Sequence, residues 1–232
     1  MIKHIPNTIT CLNLLAGSLA CVMALKFNNY EGAFVFICMA AVFDFLDGFA
    51  ARLLHAYSNI GAELDSLSDV VSFGLAPGCV VYSYLATFTT VGNLPLIGFV
   101  LPVFAALRLA KFNVDTRQTT SFLGLPVPAN GLFWTALIPS LHWLSSSFSM
   151  VELVSIVVLL VIFSLLMVSE IPMFSLKFKN LKWQGNEYPL TLVLISLILL
   201  IVFSWLKMLM IAVSVIIVVY ILLSIIKNLL KH

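Results

Sequence analysis

Charged side chains are scarce in this sequence. Only 9% of its 232 residues are Asp, Glu, Lys or Arg, whereas 62% are hydrophobic. A soluble domain normally carries about 25% charged residues, because its surface must face water. The deficit excludes an ordinary water-soluble domain and indicates that lipid covers most of the surface. The net charge of +2 is also too small to indicate a nucleic-acid partner.

Cysteine is scarce as well. The four cysteines stand alone in apolar stretches, and no two of them have the spacing of a metal-binding or redox motif. This pattern gives no basis for a disulfide framework or a cysteine metal centre. We interpret the four thiols as small packing residues inside apolar segments.

Long apolar runs, by contrast, fill the chain. A helix needs about 20 mostly apolar residues to cross the hydrocarbon core of a bilayer. The apolar runs predict an all-α integral membrane protein, a bundle of about eight transmembrane helices. Six spans is the alternative if the last pair does not cross the membrane. The eight runs lie at about 8–27, 31–54, 62–88, 94–112, 128–146, 150–169, 187–204 and 207–228.

Basic residues are distributed unevenly between the two ends of these runs. Eight spans with both termini on one side bring ten of the 12 lysines and arginines to that side. Lys26 and Lys207 fall on the other side. Because basic residues are retained on the cytoplasmic side of a membrane, we expect both termini to be cytoplasmic.

The chain shows no fixed-period repeat and no low-complexity linker, so we expect a single membrane domain over residues 1–232. Within it, the segment 171–186 alternates aromatic, leucine and lysine residues. This pattern is typical of a cytoplasmic or interfacial segment. We expect it to separate residues 1–170 from a C-terminal helical hairpin at 187–232.

Four of the ten acidic residues cluster near the cytoplasmic ends of the second and third runs: Asp44, Asp47, Asp65 and Asp69. Carboxylates at such positions are costly unless they pair or bind a cation. Spacings of three and four residues put each pair on one helix face, so antiparallel packing can bring all four together. Oxygen ligands in that number suit Mg²⁺ or Mn²⁺, or Ca²⁺, rather than zinc. Two such ions about 3.5–4 Å apart would suit displacement at a phosphoryl group.

From Asp44 to Asp69 the residues read D-x2-D-G-x2-A-R-x8-G-x3-D-x3-D. In this stretch the chain resembles the CDP-alcohol phosphatidyltransferase family at all eight fixed positions. The resemblance implies a catalytic six-helix membrane core, here residues 1–170, with two helices added. It also implies a CDP-linked donor in a cavity open to the cytoplasm, a homodimer and a bacterial cytoplasmic membrane. The eight positions are Asp44, Asp47, Gly48, Ala51, Arg52, Gly61, Asp65 and Asp69.

The resemblance also implies roles for individual residues. Asp44, Asp47 and Asp65 would be metal ligands, and Asp69 would be both a metal ligand and the general base. Among the other positions, the glycines and the alanine would line the nucleotide site and the arginine would face the diphosphate. These CDP-binding positions are Gly48, Ala51, Arg52 and Gly61.

The stretch Pro6–Thr10 contains a further element of the same resemblance. Proline followed by Asn and Thr is first of all a signal for the start of a helix. The family, however, has a similar P-N-x-x-T element beside the nucleotide. Asn7 and Thr10 are therefore added to the expected CDP-binding residues.

The acceptor alcohol has to be inferred from other parts of the chain. The stretches Arg108–Asn113, Phe122–Pro128 and Val168–Lys177 resemble those of phosphatidylserine synthases. This resemblance implies phosphatidyl transfer from CDP-diacylglycerol to L-serine, with phosphatidylserine and CMP as products. The serine carboxylate needs a cation and hydrogen-bond donors. The candidate donors are Arg108, Lys111, Asn113 and Arg117.

Three alternatives remain open on the sequence alone. Arg108 and Lys111 could simply terminate a membrane helix, as basic residues often do. Glycerol 3-phosphate or inositol phosphate could be the acceptor, although a phosphorylated acceptor should require a denser basic cluster. Buried acidic residues also mark ion paths, so an ion-coupled transporter is the alternative from another class of protein.

Overall fold

A computed structural model describes residues 4–89, 91–115, 122–144, 148–175 and 185–230. Within these residues the chain forms eight long helices and one two-stranded ladder. The helices are α1 (Ile5–Phe27), α2 (Tyr30–Leu53), α3 (Asn59–Phe88), α4 (Leu94–Val114), α5 (Val127–Leu144), α6 (Met150–Val168), α7 (Glu187–Trp205) and α8 (Leu209–Leu229). The strands are β1 (Phe122–Leu123) and β2 (Pro172–Met173).

The eight predicted apolar runs correspond to these eight helices. Of the helices in the described residues, seven are long and apolar enough to cross a membrane. The other is α5, whose Asn130, Thr135 and Ser140 are all buried. These polar groups lie inside the bundle rather than against lipid. The prediction of an all-α integral membrane protein is confirmed.

Helix α1 packs closely against α3 through small residues and serine hydroxyls. Ser72 Oγ donates to the Asn13 carbonyl at 3.0 Å, and Ser83 Oγ donates to the Ala24 carbonyl at 2.8 Å. A Cβ atom at Gly17 would overlap both the backbone and the side chain of Ser72. Small residues at such contacts let membrane helices approach each other closely. The acidic part of α3 is thereby fixed against the first helix.

Helix α3 changes its geometry directly after Asp69. The segment Val70–Leu75 is π-helical, and the Ala76 amide donates to the Val71 carbonyl five residues earlier. Such π-helical turns are often found at functional sites, because they displace side chains from the regular helical position. Here the segment turns Phe73 fully into the core. The sequence did not predict this interruption.

The ladder β1–β2 joins the segment before α5 to the segment after α6. Phe122 pairs with Met173 and Leu123 pairs with Pro172 in antiparallel register. Gly124 follows with a φ of 75°, which favours glycine, and its amide donates to the Ile171 carbonyl at 3.0 Å. Most of the predicted interfacial segment 171–186 lies outside the described residues, so this assignment and the domain boundaries stay predictions.

Candidate active site

Three carboxylates converge where α2 and α3 approach each other. Asp44, Asp47 and Asp65 each offer an oxygen, and these oxygens all lie within 4.8 Å of one another. Asp44 and Asp47 belong to α2 and stand three residues apart, so they share its face toward α3. Helix α1 packs against both other helices and holds them in place. The predicted convergence of these three aspartates is therefore present.

The electrostatics of this group suit a cation. Asp47 is only 6% exposed, and the Oδ1 atom of Asp65 is buried without a hydrogen-bond partner among the described residues. Carboxylates brought together away from water repel each other unless a positive charge or hydrogen bonds compensate. Three carboxylates with an unsatisfied buried oxygen fit a hard divalent cation such as Mg²⁺ or Mn²⁺.

Asp69 lies one turn further along α3 and is not part of the group of three. Its side chain is 7% exposed, and it lies within electrostatic range of Asp44, Asp65 and Asp47. Its Oδ1 atom accepts a hydrogen bond from Asn13 Nδ2 over 3.4 Å. The four aspartates thus form an asymmetric arrangement, in which the fourth carboxylate lies outside the group of three and accepts from Asn13.

Asn13 is a site residue that the sequence reasoning missed. It is fully buried, and its Oδ1 atom has no hydrogen-bond partner among the described residues. A signal was available: an asparagine inside an apolar run is costly in a membrane helix. Its position three residues after Thr10 also puts it on the face of α1 that carries the expected nucleotide residues.

A cavity of about 180 Å³ opens beside the three carboxylates. It gathers five of the six residues expected at the CDP site. Gly61 leaves room for the Asn7 side chain in this cavity, because a Cβ atom at position 61 would lie 3.0 Å from Asn7 Oδ1. Residues of the motif from both α2 and α3 and residues of the N-terminal element thus line one cavity. The lining residues are Pro6, Asn7, Thr10, Asp47, Gly48, Ala51, Ala56, Tyr57, Ser58, Gly61, Ala62 and Asp65.

Arg52 is the sixth expected CDP-binding residue and lies at the edge of this cavity. It is exposed in the last turn of α2 and does not belong to the described lining. Its Nη1 atom lies 3.8 Å from the position that a Cβ atom on Gly48 would occupy. The guanidinium group therefore borders the cavity entrance beside the glycine.

A second cavity, of about 350 Å³, lies between α4 and the end of α6. Arg108 and Lys111 both belong to its lining. Arg108 is 7% exposed and lies within electrostatic range of Asp69, while Lys111 Nζ donates to the Val168 carbonyl at 3.3 Å. The complete lining is Arg108, Lys111, Val114, Asp115, Leu123, Met167, Val168, Ser169 and Glu170.

The other two expected serine-binding residues are not found in this cavity. Asn113 Nδ2 donates to Ser66 Oγ on α3 at 3.0 Å, and Asn113 is absent from the cavity lining among the described residues. Arg117 lies outside the described residues. Of the four expected donors, Arg108 and Lys111 therefore line one cavity. Asn113 instead contacts α3 at Ser66.

The sequence is similar to known proteins over the part of the chain that carries this site. A sequence profile of CDP-alcohol phosphatidyltransferases matches residues 3–164, from the start of α1 into α6. The matched part contains the eight motif positions, Asn13 and Arg108. A match to a transferase family also argues against the ion-coupled transporter.

Individual relatives extend the similarity. A CDP-diacylglycerol–serine O-phosphatidyltransferase of Helicobacter pylori (strain ATCC 700392 / 26695) is 34% identical over 203 residues, covering 83% of this chain and 80% of the relative. A Bacillus subtilis (strain 168) protein of the same name is 40% identical over 134 residues, covering 56% of this chain and 72% of the relative. The profile match, together with these similarities, assigns the chain plainly: it belongs to the CDP-alcohol phosphatidyltransferase family.

Proposed function

We propose that this protein transfers the phosphatidyl group from CDP-diacylglycerol to the hydroxyl group of L-serine, giving phosphatidylserine and CMP. Family membership supports the reaction class, and the names of the relatives support serine as the acceptor. The observation that carries the proposal is the meeting of the motif residues around one cavity beside three clustered carboxylates.

Asp44, Asp47 and Asp65 would hold Mg²⁺ or Mn²⁺, and Asp69 would complete the ligand set. Their clustered oxygens and the unsatisfied Oδ1 atom of Asp65 fit this role. We expect two ions, as in other enzymes that displace phosphoryl groups. When bound, the metal would neutralise the charge of the diphosphate and stabilise the departing CMP.

The donor would bind in the 180 Å³ cavity between α1, α2 and the start of α3. Gly48 and Ala51 allow a ligand to come close to the backbone of α2 because their side chains are small. Asn7 and Gly61 would contact the cytidine side, and Arg52 at the entrance would contact the diphosphate. The diacylglycerol chains would remain in the surrounding lipid, where exposed apolar side chains cover the helices.

Asp69 would act as the general base. Asn13 bonds its Oδ1 atom, which leaves Oδ2 to accept a proton from the serine hydroxyl. The serine oxygen then forms a bond to the phosphorus that carries diacylglycerol, and the bond from that phosphorus to the CMP oxygen breaks. The proton passes to Asp69, and the electron pair leaves with CMP. No covalent enzyme intermediate is required.

The charges of the second cavity favour serine over a phosphorylated acceptor. Its lining carries two basic residues, Arg108 and Lys111, and two acidic residues, Asp115 and Glu170. A balanced set suits the carboxylate and ammonium groups of a zwitterion. Glycerol 3-phosphate and inositol phosphate carry extra negative charge and would be better served by an excess of basic residues. Arg108 would connect the acceptor to Asp69, which is within its electrostatic range.

The site would face the cytoplasm of a bacterial cell. The carboxylate cluster lies at the end of α2 that carries Arg52, the end to which the distribution of basic residues assigns the cytoplasmic side. The CDP group of the donor and free serine are both polar, and a site that opens to the cytoplasm would admit both from water. We also propose a homodimer, as the family resemblance implies.

The experiment uses the purified full-length protein in detergent micelles with CDP-diacylglycerol, Mn²⁺ or Mg²⁺, and labelled alcohols offered singly. We expect labelled lipid and an equal amount of CMP with serine. Labelled lipid from glycerol 3-phosphate or inositol phosphate, with none from serine, would refute the serine assignment. A reaction that proceeds fully in excess EDTA would refute the metal requirement.

A further inference from the structure

The C-terminal helix α8 is attached to the segment that follows α6. Tyr220 Oη donates to the Phe174 carbonyl at 3.1 Å, and Asn228 Nδ2 donates to the Pro172 carbonyl at 2.7 Å. Lys227 Nζ lies 5.6 Å from the centroid of the Phe174 ring. Three side chains of one helix therefore hold Pro172–Phe174 in place.

The attached segment supports a wall of the Arg108 cavity. Pro172–Met173 pairs with Phe122–Leu123, and Leu123 itself lines the cavity. Ser169 and Glu170, at the other end of the same segment, line it as well. A displacement of Pro172–Met173 would therefore move lining residues on two sides.

Tyr220 also lies near Arg108, the buried basic residue of this cavity. Tyr220 and Arg108 are 8% and 7% exposed, and the two groups are within electrostatic range of each other. The Tyr220 ring meets the Phe174 ring edge-on, with centroids 5.0 Å apart.

We propose that Tyr220 is a positioning residue of the acceptor site: its hydroxyl group fixes the segment at Phe174 and thereby the wall of the Arg108 cavity that this segment supports. Helix α8 lies beyond the region that the family profile matches, which ends at residue 164. The C-terminal hairpin therefore has a proposed role beyond spanning the membrane, because its bonds hold Pro172–Phe174. The hairpin supports the acceptor cavity and contributes no residue to the described lining of the nucleotide cavity. This inference rests on the proposed function of the Arg108 cavity.

The test is the variant Tyr220→Phe in the full-length protein, which keeps the ring and removes one hydroxyl group. We expect the KM for serine to rise about three- to tenfold, the effect of losing one buried hydrogen bond. The KM for CDP-diacylglycerol and the metal concentration for half-maximal activity should stay unchanged. The matched control is Tyr188→Phe, since the Tyr188 ring lies 6.3 Å from the same Phe174 ring but on α7.

An unchanged serine KM, or equal rises in the KM values of serine and CDP-diacylglycerol, would overturn the inference. Should Tyr220→Phe fail to fold, Asn228→Ala removes the second bond to the segment and is expected to raise the serine KM selectively. If the wild-type protein uses another alcohol, the serine assignment alone fails. The effect of Tyr220→Phe is then measured on the KM of that alcohol, with the same expected selectivity.

Discussion

The hydroxyl group of Thr10 on α1 donates a hydrogen bond to the Oδ2 atom of Asp47 on α2, over 2.6 Å. Both side chains are buried, at 3% and 6% exposure. The bond fixes the orientation of a carboxylate whose neighbours are Asp44 and Asp65. The first helix therefore contributes to the carboxylate site directly, in addition to anchoring the chain in the bundle.

Replacing Thr10 by Val removes this bond while keeping the shape of the side chain. We expect a roughly 10- to 100-fold higher metal concentration for half-maximal activity, because partners that orient metal ligands have effects of this size. Titration of activity with Mn²⁺ measures it. The control is Thr8→Val, since the Thr8 hydroxyl is exposed and bonds the His4 carbonyl four residues earlier. Equal metal dependence in the two variants would contradict the role of Thr10.

Replacing Asp69 by Asn removes the proposed base and keeps its size. Turnover should fall at least about 100-fold, the lower end for loss of a positioned base. Binding of CDP-diacylglycerol, measured by calorimetry in detergent, should largely remain. Glu63→Gln makes the same chemical change at an exposed position of the same helix and should leave turnover intact. Wild-type-like rates in the Asp69 variant would rule out its role as base.

Replacing Asn13 by Ala leaves Asp69 Oδ1 without its donor. We expect the turnover number to fall about tenfold, since the base loses one buried hydrogen bond and its fixed orientation. The KM for CDP-diacylglycerol should change little. Ser18→Ala is the control on the same helix, because the Ser18 hydroxyl is exposed and bonds the Leu14 carbonyl. A selective rise in the CDP-diacylglycerol KM would instead assign Asn13 to the donor site.

Replacing Arg108 and replacing Arg52 should affect different substrates. Arg108→Ala should raise the KM for serine about 10- to 100-fold, the effect of losing a charge-assisted hydrogen bond to a carboxylate. Arg52→Ala should raise the KM for CDP-diacylglycerol instead. Initial rates measured while each substrate is varied in turn distinguish the two effects. Equal effects of Arg108→Ala on both substrates would point to a structural role for this buried side chain.

The helices and the carboxylate cluster were predictable because their signals are local in the sequence. An apolar run long enough to span a bilayer indicates a helix directly. The spacing of Asp44 and Asp47 defines their common face. The motif with its fixed gaps and the N-terminal element predict a common nucleotide site, and Gly61 of the motif and Asn7 of that element do line one cavity.

Features that depend on contacts between distant segments could not be predicted. The π-helical segment after Asp69 lies where α3 packs against α1, and the apolar pattern contains no signal for it. The sequence predicts Asn113 among the donors of the acceptor site with Arg108, yet in the fold Asn113 bonds Ser66 on another helix. Tyr220 is more than a hundred residues from Arg108 in the chain, and the two side chains come near each other only through the fold.

The most direct measurement is a competition between acceptors. Purified protein receives CDP-diacylglycerol, Mn²⁺ and an equimolar mixture of L-serine, glycerol 3-phosphate and inositol phosphate, and mass spectrometry identifies the lipid products. We predict phosphatidylserine as the main product, formed in equal amount with CMP and lost in Asp69→Asn. A mixture that yields a phosphorylated product lipid and no phosphatidylserine would contradict the account.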